Sequence, residues 1–205
     1  MEDFSLFPVF YAGPISYYKA LANADKIVFD IHEHFTKQTY RNRMHIYGAN
    51  GVVKLTIPVH KIASKTPMKD LLISYDEDWQ RVHWRALVSA YQSSPFFEYY
   101  DYLLAPLYEK QFNYLLDLNF ELHSTTLKFL NINLDSTKSI DFMTDATVNY
   151  RNKFSSKKQS KEALNQPAYQ QVFSYDQPFI PDLSVLDLLF NLGPEAGRYL
   201  STLPL

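Results

Sequence analysis

The order of elements in the first thirty residues limits the fold more than any other feature of the chain. An aromatic, β-prone run from Phe7 to Tyr11 is closed by Gly13-Pro14, a strong turn signal. Residues 15–24 carry Tyr18, Leu21 and Ala22 at helical spacing, and residues 26–32, KIVFDIH, read as a strand interrupted at Asp30. A strand, a turn, a helix and a second strand in so short a span make a βαβ unit. Its strands pair parallel through a right-handed crossover. An α/β fold with a small, mostly parallel sheet is therefore expected.

Farther along, MHIY and VVKLTIPV flank GANG, so a β-hairpin is expected to turn at Asn50-Gly51. Residues 71–76, LLISYD, read as another strand. A helix is expected over 79–92, capped by Asp76 or Asp78 and ended by Ser94-Pro95. Several packed helices follow toward residue 130, split near Pro106, and Leu115, Leu118, Leu122, Thr125 and Phe129 form a core stripe. Residues 140–145 are a candidate strand, and the Ser- and Lys-rich stretch 154–167 reads as a mobile surface loop. A last helix, Ser184 to Asn191, has Asp182 or Ser184 to cap it and Gly193-Pro194 to stop it. These elements fit one domain over 1–205, because 205 residues can bury a substantial core.

Composition narrows the function classes. A formal net charge of −2 supplies no field that would gather nucleic acid or an anionic membrane. The absence of Cys excludes disulfides, thiol catalysis and cysteine-ligated zinc, and fits a reducing compartment. Glu2 and Asp3 stand where a signal peptide needs positive charge, and no run of about 18 apolar residues occurs. A cytoplasmic protein is expected, with no membrane insertion and no nucleic-acid partner. Its oligomeric state is left open, a homo-oligomer included.

Three groups of residues are candidates for chemistry. The stretch Lys37–Arg43, KQTYRNR, gathers Lys37, Gln38, Arg41, Asn42 and Arg43. Guanidinium forks beside amide donors suit a phosphate or carboxylate, and Asn50 with its neighbouring glycines allows close backbone approach. A solvated basic surface, or Arg forks paired with internal carboxylates, is the competing reading. In the helix 79–92, His83 lies between Arg81 and Arg85, and like-charge repulsion is expected to keep its imidazole neutral for base or donor duty. Tyr11 and Tyr91 are candidate orienting groups. Asp30, His32 and His34 share one face if they continue a strand, a donor set suited to a divalent metal; ordinary strand-end histidines are the alternative. No G-x-S-x-G, G-x-x-x-x-G-K-[ST] or G-x-G-x-x-G occurs, which disfavours serine hydrolases, P-loop NTPases and typical Rossmann dehydrogenases. No motif specifies a cofactor.

The joint order of Y-x-G-P-x-x-Y-Y, K-Q-T-Y-R-N-R, N-G, I-P-V, H-W-R-x-x-x-S-A-Y, S-P-F-F-x-x-Y and P-F-I-P-D-L-S-V-L-D-L-L-F-N-L-G-P-E-A resembles the WbqC-like family of bacterial proteins. That resemblance extends over nearly the whole chain and is least distinctive over 132–165. Lys37, Asn42 and Arg43 match the family's Lys and Asn-Arg pattern. Many members carry His-Gln-Pro-x-Tyr-x-Pro after the first strand; here the place reads Pro8 to Pro14, without that His and Gln. The family is named from surface-polysaccharide gene clusters. The resemblance implies a link to O-antigen-type glycan biosynthesis. With the gathered cationic groups, the expectation is an enzyme that binds a phosphorylated or nucleotide-linked substrate, a transferase acting on an activated sugar or nucleotide-linked substrate. Its expected groups are His83 and Lys37 for catalysis, with Tyr11, Gln38, Arg41, Asn42, Arg43, Asn50, Arg85 and Tyr91 around the substrate. The opening strand, turn, helix and strand also resemble nucleotidylyltransferase-like domains in architecture. A non-catalytic binding or assembly protein of the same pathway is the first alternative. A metal-dependent hydrolase using Asp30, His32 and His34 is the second.

Overall fold

Proline, aspartate and glycine set the lengths of the strands. β1 (Ser5–Phe7) stops before Pro8, which has no amide to offer a ladder. The expected first strand is therefore displaced: Val9, Phe10 and Tyr11 leave the sheet and are buried in the core. The computed structural model describes residues 3–61, 65–157 and 165–203. α1 (Ile15–Ala22) and β2 (Ile27–Phe29) complete the βαβ unit, with Leu6 opposite Val28 in parallel register. Pro14 occupies the cap position of α1 and has no side-chain group to offer. Asp182 does the capping from a distant part of the chain, accepting from the Ser16 amide at 2.8 Å and its hydroxyl at 3.0 Å.

β3 (Arg43–Gly48) and β4 (Gly51–Thr56) form the antiparallel hairpin. Ala49 and Asn50 make its loop, and Gly51 opens the return strand at a φ of 103°, which a side chain would resist. β5 (Ser136–Lys138) and β6 (Val148–Asn149) complete the main sheet in the order β5–β2–β1–β6, every pairing parallel. Both outer strands are short and exposed, which limits pairing at the sheet edges. The chain moves from β1 outward to β2 and β5, then returns to the opposite side of β1 as β6. Ligands of open parallel sheets collect at the carboxyl ends of strands where the order reverses in this way.

α2 (Trp79–Tyr91), α3 (Phe97–Glu109) and α4 (Leu115–Leu130) pack with α5 (Val185–Leu192) around a core that includes Leu104, Leu118, Leu122, Leu188 and Phe190. Thr125 and Phe129 of the expected stripe lie only half-buried, and Thr126 and Leu130 take the interior places. Pro106 does not split α3, because it sits exposed in the last turn and removes a single ladder bond. Residues 71–76 form no strand: only the isolated bridges Val59–Ile73 and Leu72–Tyr114 hold them, with Pro58 interrupting the segment alongside. Residues 140–145 are likewise irregular, since no neighbouring strand receives them. Ser184 caps α5 as expected, its hydroxyl accepting from the Leu186 amide. α6 (Ala196–Thr202) was not expected; it follows Gly193–Glu195 and approaches α4 so closely that a Cβ on Gly197 would meet the Leu130 carbonyl at 2.2 Å. Residues 158–164, part of the stretch read as a mobile loop, lie outside the described residues. Among the described residues no helix is long and apolar enough to cross a membrane.

Candidate functional site

The chain turns immediately after β2, and that turn disperses the expected metal set. Asp30 accepts from the His32 amide at 3.0 Å, a local turn that an extended strand does not permit. Its other oxygen accepts from the Arg151 guanidinium, through Nε at 2.6 Å and more closely through Nη2. His34 is exposed and stacks on Phe142 with ring centroids 5.5 Å apart. Asp30, His32 and His34 therefore share no common face. Among the described residues no three His, Asp or Glu side chains stand together as metal ligands.

Arg41 points inward. Its Nε and Nη2 donate to the two oxygens of Glu33 at 2.8 and 2.5 Å, and Nη2 also reaches the Arg151 carbonyl at 3.0 Å. Both partners are about 4% exposed. Burial pushes the Glu33 carboxyl up, and the Arg41 hydrogen bond and charge oppose that rise. Asp30, Glu33, Arg41 and Arg151 thus form a buried, charge-balanced quartet at the carboxyl edge of the sheet. Arg41 has no fork left for a phosphate. Lys37 and Gln38 are exposed on the turn above this edge, and the Gln38 carbonyl is tied to the Ser156 hydroxyl at 2.5 Å. Asn42 is buried, donating to the Ile57 carbonyl at 2.9 Å.

The hairpin presents a different kind of surface. Arg43 lies opposite Thr56 and His45 opposite Lys54, and the two-residue period puts all four on one face. Arg43 is half-buried and donates through Nε to Thr56 Oγ1 at 2.9 Å; Lys54 is exposed. Among the described residues neither cation has a carboxylate within ion-pair distance. Their unbalanced charge reaches His45, whose pKa is lowered to about 4 first by burial, then by Lys54 and Arg43. Asn50 lies at the hairpin tip, roughly 17 Å along the strand from Arg43.

His83 is buried on α2. Its Nδ1 is 2.9 Å from the Tyr11 hydroxyl, which is 3.0 Å from the Tyr108 hydroxyl. Its pKa falls to about 4, as expected in direction, but burial is the cause and no Arg is. Arg81 is paired with Asp78 at 2.6 Å, and Arg85 is exposed on the outer face of α2. The Tyr11 hydroxyl engages Nδ1, and the ring packs edge-on against Trp79 with centroids 5.2 Å apart, so His83 serves the core around α2. Tyr91 is similarly occupied: its hydroxyl accepts from the Tyr47 amide at 3.0 Å and donates to Asp187 at 2.8 Å. Tyr11 and His83 are brought together; Arg43 stays on the hairpin face with Thr56. Arg41, Arg85, Asn50 and Tyr91 go elsewhere.

Sequence reasoning did not single out Lys54, Thr56, Glu33, Ser139 or Arg151. Lys54 and Thr56 were visible in the alternation of the return strand. Ser139 and Arg151 are more than a hundred residues from Asp30, and no local pattern marks them.

The WbqC-like protein family has a sequence model that matches this chain over residues 10–158 and 147–199. A curated relative, the uncharacterized protein Rv1507c of Mycobacterium tuberculosis (strain ATCC 25618 / H37Rv), is 28% identical over 211 residues, covering 90% of this chain and 91% of its own. No solved structure matches the chain.

Proposed function

The chain belongs to the WbqC-like protein family, and on that footing we propose that it is a cytoplasmic enzyme of bacterial surface-polysaccharide biosynthesis, a transferase that binds a phosphorylated or nucleotide-linked sugar. The observation carrying this reading is the pair Arg43 and Lys54, diagonal cross-strand neighbours on one hairpin face without a balancing carboxylate among the described residues. An unpaired guanidinium already fixed by one hydrogen bond has its orientation set before an anion arrives, and Lys54 adds a point charge on the same face. Lys37, exposed on the preceding turn, supplies further positive potential. Arg41 answers instead to the alternative of a non-catalytic protein with internally paired arginines, because its whole fork is committed to Glu33.

Titration with uridine diphosphate and a panel of nucleotide sugars, read by thermal unfolding, tests the proposal. At about 100 times Kd a ligand adds about 2.7 kcal/mol, a rise of roughly 5–10 °C for a chain of this size. Arg43→Ala and Lys54→Ala are each expected to weaken binding about tenfold. No shift with any compound, or a shift kept in the double variant, would refute the assignment.

A further inference from the structure

His32, Ser139 and Asp30 stand at the carboxyl edge of the parallel sheet, and their hydrogen bonds determine where the histidine proton sits. Ser139 Oγ donates to Asp30 Oδ1 at 3.1 Å; the carboxylate, paired with Arg151 on its other oxygen, only accepts. A hydroxyl has a single hydrogen, so every other contact to Ser139 Oγ must be one it accepts. The Ile31 amide donates to it at 3.2 Å. His32 Nδ1, also at 3.2 Å, must donate as well, and so carries the ring hydrogen. Nε2 is then the nitrogen with the free lone pair. It has no hydrogen bond among the described residues and is not one of the buried unpartnered atoms, so it meets solvent.

The surroundings indicate a class of ligand. Arg151 connects Asp30 to Phe142, its guanidinium carbon 4.7 Å from the ring centroid, and Phe142 stacks on the exposed ring of His34. Phe142 is 46% exposed and Ile140 93% exposed. Arg151 and His34 already engage the Phe142 ring, so the exposed apolar surface here is Ile140, which follows Ser139 directly. A basic nitrogen that meets solvent near it suits a hydroxyl-bearing ligand such as a sugar.

We propose that His32 is a general base for a sugar hydroxyl, with Asp30 and Ser139 as its positioning residues. The sugar O–H bond breaks, its proton passes to Nε2, and the electron pair stays on the oxygen. That oxygen bonds to the activated carbon of a phosphorylated or nucleotide-linked donor as the bond to its phosphate breaks, and the phosphate leaves with the electron pair of the broken bond. The imidazolium so formed is stabilised by Asp30 through the Ser139 hydroxyl. As a transfer step this assignment rests on the activated donor of the function proposed above, whereas the tautomer and the sugar contact at Nε2 are read without Arg43 and Lys54.

The test is ¹⁵N NMR of the histidine rings at alkaline pH, where the two tautomers of His32 have distinct nitrogen shifts. The wild type is expected to hold the Nδ1–H form. Ser139→Ala should reduce the ratio of that form to the Nε2–H form by about tenfold, the worth of one hydrogen bond between neutral groups at the upper end of its range, and Ser139→Thr should restore it. Titration with glucose and N-acetylglucosamine should then move the His32 Nε2 signal along a saturable curve. An Nε2–H tautomer in the wild type, or a ratio unaffected by Ser139→Ala, overturns the relay. A relay that behaves as expected while no sugar moves the signal overturns the ligand class. Uridine diphosphate binding that depends on Arg43 bears on neither result, so the two sites fail or survive separately.

Discussion

Acidification should unfold this protein through histidines that its interior keeps neutral, above all the two that lie deeper than His45. His83 and His123 are 3% and 4% exposed, and burial lowers each from the ordinary 6.5 to about 4. His123 is the harsher case: Nδ1 lies 3.3 Å from the Tyr18 hydroxyl, and Nε2 is buried with no hydrogen-bond partner among the described residues. Protonation there would bury a charge with an unbonded N–H. The folded state refuses a proton that the unfolded chain accepts. Stability is therefore intact above pH 6.5, declines as pH falls, and stops declining near pH 4, where both states are protonated. At about 1.36 kcal/mol per pH unit, each histidine costs about 3 kcal/mol across that window. Together they remove about 7 kcal/mol, comparable to the whole stability of a typical domain. Glu33 and Asp187, both raised by burial, act in the opposite sense: their folded forms keep a proton longer, so they regain stability as pH falls. Comparison of variants separates the two contributions. Urea unfolding at a series of pH values should show His123→Asn losing about 1.4 kcal/mol less per pH unit than wild type below pH 6. Equal slopes in the two proteins would show that His123 titrates normally and that its burial carries no such penalty.

Glu33→Gln should destabilise the protein by about 3–5 kcal/mol, because it leaves Arg41 buried and unbalanced, whereas Glu33→Leu combined with Arg41→Met should cost less than either change alone. A double-mutant cycle in urea measures the difference. Gly197→Ala should lower the unfolding midpoint strongly, by about 3 kcal/mol or more, since its Cβ would stand 2.2 Å from the Leu130 carbonyl and α6 must move. Ser184→Ala removes the cap of α5 and the hydroxyl's bond to the Ala12 carbonyl at 2.8 Å, and about 1–2 kcal/mol should be lost by the same assay.

Elements that rest on near neighbours were legible in the chain itself. The opening βαβ unit, the hairpin around Asn50, α2 from Trp79, and α5 with its Ser184 cap follow from spacing and turn residues. Neither Asp76 nor Asp78 caps α2, however: Asp76 accepts from the Ser74 hydroxyl and Asp78 pairs with Arg81. Segments with the same local appearance but no receiving strand, 71–76 and 140–145, did not become strands. β propensity is satisfied only when a ladder partner lies alongside, and that partner is a property of the whole fold.

The chemistry divides in the same way. Charge counting identified a basic stretch from Lys37 to Arg43, and its local excess of donors is evident without any coordinates. Which of those donors stay available was decided by tertiary contacts: Glu33 neutralises Arg41, the hairpin register sets Arg43 beside Lys54, and Asp30 pairs with Arg151, 121 residues away. The reason is the range of the forces involved. Periodicity and capping act between residues a few positions apart, whereas ion pairs and buried hydrogen bonds join whatever side chains the packed core brings within about 3 Å.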